Sequence, residues 1–328
     1  MDKKRAKIIG VGKYLPDKIL SNADLEKMVD TSDEWITKRV GIKERRISEP
    51  DVYSSDLGTE AALNAIKDSG ISPEDIDLII AAGVTPDMYT PSVSCMIQAK
   101  IGAVNAAAFD LNAACPGFVF ALTTATQFIE NGTYNTVLVV ACDCLSKVTE
   151  YKDRATCVLF GDGAGAAILQ ATDEDTGVLS CCLGSDGASG DKITIPGIRV
   201  DEEEKEKRPF GNYRTLWMDG GAVYKFAVKT MSASATKVVE DAGFTMEDIT
   251  QIIPHQANQR IIDGARKRLG CAEEQMFSNI SKYGNMSAAC IPVAICEAIE
   301  EGKIKRGDLF VIVSMGGGLA WGSALIRY

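Results

Sequence analysis

Residues 109–121 read FDLNAACPGFVFA, which predicts a strand, then small residues and a cysteine, then a helix. Pro116 is predicted at the first helical position, because the N–H that proline lacks would have no partner there. Cys115 then lies at the helix N-terminus, where unpaired N–H groups and the helix dipole favour negative charge. Since such a position lowers the pKa of a thiol from about 8.5, Cys115 is predicted to be a reactive nucleophile.

A cysteine alone does not identify a catalytic site in this chain. The sequence contains ten cysteines, and most free cysteines are buried small hydrophobic residues. The sequence has no CxxC pair and one histidine, so the usual spacings of zinc and redox sites are missing. We therefore expect reduced thiols and no metal, and Cys115 needs chemical partners.

The composition is that of an ordinary globular protein, with 46% hydrophobic and 24% charged residues. A length of 328 residues predicts two domains, or two halves that share one core. The longest apolar runs are strand-sized and no signal-peptide core is present, so we expect a cytoplasmic protein without a membrane partner. A net charge of -10 argues against a nucleic-acid partner, which would need a basic face.

An internal repeat divides the chain. The segment GISPEDI, residues 70–76, precedes an apolar strand, and GFTMEDI, residues 243–249, precedes another at an offset of 173 residues. The apolar strand 137–140 recurs at 310–313 with the same offset. These matches predict a tandem duplication of an α/β unit, with a period too long for a solenoid.

We place the two halves at residues 1–173 and 174–328, because a polar run near 172–176 separates them. Strands that alternate with helices predict mostly parallel sheets covered by helices. The charged run 201–207 is predicted to be a solvated surface loop.

Two further polar residues have positions that suit a site. His255 comes directly after the apolar run 252–254, and α/β sheets bind ligands at the carboxyl ends of their strands. Asn285 lies in the turn-like segment KYGNMSAA, residues 282–289. Taken alone, a single histidine is more often structural, and such an asparagine is more often a turn or N-cap residue.

Two glycine-rich segments are candidates for ligand-binding loops. Gly316–Gly318 follow a predicted strand, where glycine lets the backbone approach a ligand closely or else forms a plain turn. GDGAG at 161–165 is not followed by Gly-Lys-Ser/Thr, so a structural role is expected there rather than phosphate binding.

Cysteine, histidine and asparagine together fit two classes of enzyme. In papain-like cysteine proteases the histidine lies about 130–150 residues after the cysteine, and His255 lies 140 residues after Cys115. However, Asn285 is further downstream, the CGSCW context is absent, and the duplication has no place in that fold. The second class catalyses a decarboxylating Claisen condensation through a cysteine thioester.

Several segments carry a resemblance to a known family. They are NAACPGF at 112–118, PHQAN at 254–258, YGNMSAA at 283–289, GGGLAWGSAL at 316–325, SDEWI at 32–36 and the loop around Arg154. Because these segments match in the order in which they occur along the chain, over essentially its full length, the chain resembles β-ketoacyl-acyl carrier protein synthase III. The resemblance implies the thiolase fold, in which duplicated α/β halves form five layers, αβαβα.

The resemblance also implies a reaction. A short acyl group would pass from coenzyme A to Cys115 and then condense with malonyl-acyl carrier protein, giving carbon dioxide and a 3-oxoacyl-acyl carrier protein. This step initiates type II fatty-acid synthesis. Neutral His255 and Asn285 would donate hydrogen bonds to the enolate oxygen, and the backbone N–H groups of Cys115 and Gly317 would form the oxyanion hole. Acyl-coenzyme A is a substrate, so no cofactor is implied.

Binding residues follow from matching positions in the family. Coenzyme A would contact Trp35, Arg39 and Arg154, with its adenine between Trp35 and Arg154. The acyl pocket would include Phe160 and Thr90, and Thr90 would reach across the interface of a homodimer. Carrier-protein contacts would come from one segment and a basic patch: Gln256, Ala257, Asn258, Gln259, Arg260, Lys225, Lys267 and Arg268.

Two other interpretations stay open. Other thiolase-fold condensing enzymes, including those of specialised metabolism, share the implied fold, although their sequences are less similar at the PHQAN segment. A degenerate homologue that only binds carrier protein is the non-enzymatic alternative. The intact set of Cys115, His255 and Asn285 argues against it.

Overall fold

The computed structural model describes residues 4–328, which form a mixed α/β fold. Strands alternate with helices along most of this range. The strands, in chain order, are β1 Arg5–Tyr14, β2 Ile19–Ser21, β3 Glu44–Arg46, β4 Leu78–Ala82, β5 Ala107–Leu111, β6 Thr136–Cys144, β7 Asp162–Thr172, β8 Gly177–Ser185, β9 Ile193–Thr194, β10 Trp217–Met218, β11 Gln251–Pro254, β12 Leu309–Gly316 and β13 Ala320–Arg327.

The helices range from four to 22 residues. They are α1 Asn22–Leu25, α2 Asp33–Val40, α3 Ser54–Ser69, α4 Val93–Ile101, α5 Gly117–Glu130, α6 Arg154–Cys157, α7 Glu202–Glu206, α8 Gly220–Asp241, α9 Gln259–Leu269, α10 Ile280–Tyr283 and α11 Cys290–Glu300. Within residues 4–328, no helix combines the length and the apolar character needed to cross a membrane.

Two large sheets repeat one strand order. The first runs β1-β7-β6-β4-β5 and the second runs β8-β13-β12-β11. β4 pairs in parallel with β5 and β6, and β11 pairs in parallel with β12. The remaining pairs, β1–β7, β6–β7, β12–β13 and β8–β13, are antiparallel. The prediction of mostly parallel sheets is therefore wrong, because the three-residue connection from β12 to β13 is too short for a parallel crossover and α6, between β6 and β7, has only four residues.

Side chains alternate along the buried strands and so build five layers. Leu138 and Val140 of β6 pack with α3 and α4, whereas Val139 packs with α5 and α11 in the centre. Ile312 of β12 faces the same central helices, and Val313 faces α8 and α9 on the other side. The layers are therefore α3/α4, first sheet, α5/α11, second sheet and α8/α9, as the predicted αβαβα arrangement requires.

Local sequence signals place the elements that line the candidate site. The Ser32 hydroxyl accepts a hydrogen bond from Trp35 N–H and caps α2, which ends at Gly41 with φ +80°. α5 begins at Gly117 with Pro116 as its N-cap, so Pro116 lies one position earlier than predicted. Cys115 immediately precedes that cap.

The charged run 201–207 folds into a helix rather than the predicted loop. Asp201 caps α7, and Lys207 forms ion pairs with Glu203 and Glu204, each at 3.0 Å. Contacts between residues three and four positions apart stabilise the short helix.

A buried carboxylate on α11 holds the segment that precedes Asn285. Glu297 is 6% exposed and accepts hydrogen bonds from Asn279 Nδ2, at 3.0 Å, and from the Tyr283 hydroxyl. Lys13 Nζ lies 3.6 Å from Glu297. Burial raises the pKa of Glu297, but the two hydrogen bonds and nearby lysines outweigh burial and lower the pKa below its ordinary 4.5.

We expect Glu297→Gln to lower the free energy of unfolding by about 2 kcal/mol at pH 8, because a neutral amide loses charge-assisted hydrogen bonds. The folded-state pKa is depressed, so this stabilisation is present above pH 4.5 and is lost as the pH falls below that value. The difference between the urea unfolding curves of the variant and the parent protein should therefore shrink as the pH is lowered from about 6 to about 3.

Glu300→Gln is the matched control, because this carboxylate contacts the same Lys13 but is 61% exposed. Its loss should cost no more than about 0.5 kcal/mol. Equal destabilisation by both substitutions, or a difference that persists unchanged to pH 4, would contradict this account of Glu297.

Candidate active site

One pocket of about 550 Å³ contains the three residues that the sequence predicts to act together. Cys115, His255 and Asn285 line it along with Gly316. Its wall is mainly apolar and includes Val40, Val158, Leu159, Phe160, Leu216 and Met218. Exposed Lys225 and Arg260 also line it. The pocket therefore connects a basic surface with a buried end. Its residues come from both halves of the chain.

The carboxyl end of β12 fixes the position of Cys115. The Ser314 hydroxyl donates a hydrogen bond of 3.0 Å to the Cys115 carbonyl. A Cβ added at Gly316 would lie 2.7 Å from Cys115 Cβ and 3.0 Å from Sγ. No other residue type fits there without displacing the cysteine, so the glycine permits the second sheet to approach the thiol.

The Cys115 thiol is less acidic than the helix position predicts. Burial raises its pKa to about 11, a hydrogen bond from Ser287 lowers it, and the charge of Asp143 raises it again. Desolvation of the thiolate thus outweighs the favourable helix N-terminus. The prediction of a lowered pKa is wrong, and Cys115 is a neutral thiol at physiological pH.

His255 lies at the end of β11 and is 1% exposed. Its backbone N–H donates to the Val313 carbonyl at 2.8 Å, which anchors it to the neighbouring β12. Burial lowers the pKa of the imidazole to about 3, so His255 is neutral at physiological pH. The buried Nδ1 has no hydrogen-bond partner within residues 4–328.

Asn285 is held by backbone and side-chain hydrogen bonds. Its N–H donates to the Leu159 carbonyl at 2.9 Å, and its carbonyl accepts from Gly161 N–H at 3.0 Å. Gly284 precedes it with φ +66°, where an added Cβ would lie 2.6 Å from that Leu159 oxygen. Asn285 Oδ1 accepts from Ser287 N–H at 2.8 Å, which orients the amide and leaves its NH₂ group as the donor.

Two backbone N–H groups are directed at the Cys115 sulfur. They belong to Cys115 itself and to Gly317, and both lower the pKa of the thiol through hydrogen bonds. Donors arranged in this way can also stabilise negative charge on a carbonyl oxygen bonded to that sulfur.

The three residues predicted to bind coenzyme A form one cluster at the pocket opening. Trp35 and Arg39 line the pocket. The guanidinium carbon of Arg154 lies 4.9 Å from the Trp35 ring centroid, and that of Arg39 lies 5.9 Å away. Arg154 also donates a hydrogen bond of 2.9 Å to the Asp30 carbonyl.

The residues predicted to contact a carrier protein do not all reach the surface. Gln256 is fully buried, donates to the Pro254 carbonyl at 2.7 Å and accepts from Asn279 N–H at 3.0 Å. Its prediction as a carrier contact is wrong, because the side chain supports the turn after β11. Ala257, Asn258 and Gln259 are partly buried; Arg260, Lys225, Lys267 and Arg268 are exposed.

The two predicted acyl-pocket residues lie in different places. Phe160 is buried and lines the pocket, and it forms a parallel bridge with Asn285. Thr90 is exposed and does not line this pocket. Its predicted role depends on a partner subunit.

Two polar residues near the thiol have no role in the sequence prediction. The Ser287 hydroxyl donates to Cys115 Sγ at 3.7 Å, and buried Asp143 lies at the carboxyl end of β6. An acidic residue that ends the apolar run 137–142 was a detectable signal, because site residues collect at such strand ends. Ser287 had no separate signal, since only the fold brings it to the cysteine.

Comparisons with known proteins agree with this geometry. Two family models match: 3-oxoacyl-[acyl-carrier-protein (ACP)] synthase III over residues 109–187 and its C-terminal domain over residues 239–328. A β-ketoacyl-[acyl-carrier-protein] synthase III from Clostridium acetobutylicum is 54% identical and covers 98% of each chain. The corresponding enzyme from Caldanaerobacter subterraneus subsp. tengcongensis is 50% identical, covering 100% of this chain and 99% of its own.

A solved structure extends the similarity to the fold. The crystal structure of 3-oxoacyl-[acyl-carrier-protein] synthase III from Aquifex aeolicus VF5 is 44% identical and has a TM-score of 0.92. It covers 98% of this chain and 100% of its own. The predicted family and fold are confirmed, and the protease alternative is not supported. The chain belongs to the 3-oxoacyl-[acyl-carrier-protein] synthase III family.

Proposed function

We propose that this pocket carries out both half-reactions of a β-ketoacyl-acyl carrier protein synthase III, with Cys115 as the nucleophile. The meeting of Cys115, His255 and Asn285 at the buried end of one pocket supports the assignment most strongly. The reaction joins an acyl group from coenzyme A to malonyl-acyl carrier protein and yields 3-oxoacyl-acyl carrier protein, carbon dioxide and coenzyme A. It initiates fatty-acid synthesis.

In the first half-reaction, the Cys115 sulfur attacks the thioester carbonyl of acyl-coenzyme A. The carbonyl oxygen becomes an oxyanion that accepts hydrogen bonds from the N–H groups of Cys115 and Gly317. Collapse of this intermediate expels coenzyme A and leaves the acyl group on Cys115. The product is again a thioester, so it stays activated for the second attack.

In the second half-reaction, loss of carbon dioxide from the malonyl thioester leaves an enolate. Neutral His255 and the Asn285 NH₂ group donate hydrogen bonds to the enolate oxygen, which balances its developing charge in a site of low polarity. The enolate carbon then attacks the acyl carbonyl on Cys115, and the cysteine sulfur leaves. A protonated His255 is not needed, which fits its depressed pKa.

The aromatic and basic cluster at the opening suits the nucleotide end of coenzyme A. A purine stacked between Trp35 and Arg154 needs about 3.5 Å on each face, but these groups are 4.9 Å apart. Binding therefore displaces Arg154 from Trp35. Arg39 then remains beside the indole to pair with phosphate.

The exposed cations near the opening suit an acidic carrier protein. Lys267 and Arg268 lie in the last turn of α9, Arg260 lies in its first turn, and Lys225 is on neighbouring α8. Complementary charge increases the rate of encounter between proteins and orients them. The carrier would deliver its malonyl arm through the pocket that Arg260 and Lys225 line.

An exposed sheet edge suits a homodimer. β5 is an edge strand of the first sheet, and Phe109 on it is 36% exposed. Tyr89 and Val104, which precede β5 in the chain, are 72% and 71% exposed and offer further apolar surface to a partner. A second copy that covers this edge would also bring its residue 90 near this subunit. Reduced thiols and these substrates favour a cytoplasmic location.

We expect His255→Ala and Asn285→Asp to lower malonyl decarboxylation by about 10²–10³-fold, because each removes a donor to the enolate oxygen. Asn285→Asp additionally places a carboxylate beside the developing negative charge. Acylation of Cys115 by acetyl-coenzyme A should continue in both variants. Intact-protein mass reports acylation, and released carbon dioxide reports decarboxylation.

Asn131→Asp is the matched control for the asparagine substitution, because exposed Asn131 lies at the end of α5 away from Cys115 and its Oδ1 accepts hydrogen bonds from Thr133. An aspartate keeps those acceptor atoms, so both half-reactions should remain within about threefold of the parent. Normal condensation by either His255→Ala or Asn285→Asp would show that the enolate is stabilised elsewhere.

Reversing two charges on α9 tests the carrier surface. The double substitution Lys267→Glu, Arg268→Glu should raise the KM for malonyl-acyl carrier protein about tenfold. This value assumes that each exposed ion pair with the carrier contributes about 0.7 kcal/mol. Acylation by acetyl-coenzyme A should stay unchanged. Lys305→Glu is the control, because exposed Lys305 precedes β12 at the end opposite the pocket. Equal effects of both changes on KM would refute the proposed surface.

A further inference from the structure

The Cys115 thiol needs a proton acceptor that the proposed mechanism has not yet supplied. Cys115 is a neutral thiol at physiological pH, and its sulfur attacks only after losing the proton. His255 accepts a proton poorly, because burial holds its pKa near 3. A different group must take the proton while the acyl group is transferred.

Ser287 is the side-chain hydroxyl in contact with that sulfur. Its Oγ lies 3.7 Å from Cys115 Sγ, within the range of hydrogen bonds to sulfur. In this contact the hydroxyl donates to the sulfur. Rotation of the hydroxyl reverses these roles, so that Ser287 accepts the thiol proton and donates its own proton to another acceptor. The backbone N–H of Ser287 is already committed to Asn285 Oδ1, which fixes the residue between the two catalytic side chains.

Asp143 lies on β6, which packs against the segment Ser287–Ala289. Its Oδ1 accepts hydrogen bonds from Val84 N–H at 2.7 Å, Thr85 N–H at 3.0 Å and the Thr85 hydroxyl at 2.7 Å. Its Oδ2 is buried and has no partner of hydrogen-bond geometry among residues 4–328. One oxygen thus anchors the carboxyl group and the other is available to a proton.

The Ser287 side chain is also close enough to this carboxyl group to lower its pKa. Burial raises the pKa of Asp143 to about 6, while Thr85, Val84 and the Ser287 side chain lower it through hydrogen bonds. In the present rotamer the hydroxyl satisfies hydrogen-bond geometry to Cys115 Sγ rather than to Oδ2. Asp143 is therefore ionised at neutral pH, yet more basic than an exposed carboxylate.

The backbone is strained on both sides of this contact. Ala114 and Ser287 have φ of +50° and +52°, and they are the only non-glycine residues with positive φ in the described part of the chain. One directly precedes Cys115 and the other supplies the hydroxyl. Such conformations persist only where surrounding structure enforces them, and they concentrate at functional sites.

We propose that Ser287 and Asp143 form a proton relay for Cys115, in which the thiol proton passes to the Ser287 hydroxyl as the hydroxyl proton passes to Asp143 Oδ2. Ser287 touches the reacting sulfur, and Asp143 acts through Ser287. The relay rests on the proposed function, because it serves acyl transfer to Cys115. It adds to that function a base for the first half-reaction.

The bonds and charges balance through the cycle. In the relay, the S–H bond of Cys115 and the O–H bond of Ser287 break. New O–H bonds form at Ser287 and at Asp143. Negative charge therefore moves from the carboxylate to the sulfur. The sulfur lone pair forms the new S–C bond as the C–S bond to coenzyme A breaks. The proton returns through Ser287 to the departing sulfur, and coenzyme A leaves as a thiol. After condensation, the released Cys115 thiolate takes one proton from solvent.

Ser287→Ala and Asp143→Asn test the relay. The first removes the hydroxyl, and the second replaces the carboxyl group by a carboxamide of the same shape that is not a strong proton acceptor. Both should slow single-turnover acylation by acetyl-coenzyme A at least about 100-fold. Malonyl decarboxylation should stay within about threefold of the parent protein. This pattern is the reverse of that expected for His255→Ala.

Thr126→Val is the matched hydroxyl deletion, because the buried Thr126 hydroxyl donates to the Leu122 carbonyl within α5, at a distance from the reacting groups. It should acylate at the parental rate. If Ser287→Ala and Asp143→Asn are acylated at rates within about threefold of the parental rate, the relay is wrong. An equal loss of acylation and decarboxylation in these variants would also overturn it. A parent protein that forms no acyl adduct would instead refute the proposed function itself.

A pH profile separates proton transfer from simple positioning. Parental acylation should rise to a plateau as Asp143 ionises with a pKa of about 6. Asp143→Asn should lack that plateau and increase with hydroxide across pH 6–9, because the thiol must then ionise unaided. The other titratable groups that Asp143 influences are thiols with raised pKa values, Cys115, Cys142, Cys144 and Cys290, which do not titrate in this range. The same plateau in both proteins would overturn the relay.

Discussion

The contact between Gly316 and Cys115 sets the dimensions of the active site. The end of β12 can reach the cysteine because position 316 has no side chain, and an added Cβ would lie 2.7 Å from Cys115 Cβ. This contact joins the second sheet to the loop before α5, which belongs to the first half. It also brings Gly317 N–H to the sulfur. The oxyanion donors, the thiol and the His255 strand are therefore positioned by one close packing interaction.

Burial decides the protonation states in this pocket. It raises the pKa of the Cys115 thiol to about 11 and lowers that of His255 to about 3, so both groups are neutral. Neutral donors suit the stabilisation of an enolate, because each can offer an N–H to the new negative charge without first taking up a proton. The cost is that the nucleophile must lose a proton during the reaction. In the proposed relay, the buried carboxylate of Asp143 accepts this proton through the hydroxyl of Ser287.

The sequence predicts the parts of the structure that depend on short segments. The repeat at 70–76 and 243–249 indicated the two similar sheets, and the motifs around Cys115, His255 and Asn285 identified the pocket. Properties that depend on packing between distant segments could not be predicted from the sequence. The buried side chain of Gln256 and the high pKa of Cys115 follow from neighbours distant in sequence. Antiparallel returns such as β13 likewise depend on tertiary context rather than on local periodicity.

The most direct test of the account is to locate the acyl group on the protein. Cys290 occupies the position in the second half that corresponds to Cys115, and it is fully buried. Tandem mass spectrometry after brief incubation with acetyl-coenzyme A should find one acetyl group on the peptide that contains Cys115 and none on that of Cys290. Acetylation of Cys290, or an adduct that persists in Cys115→Ala, would contradict the assignment of the nucleophile.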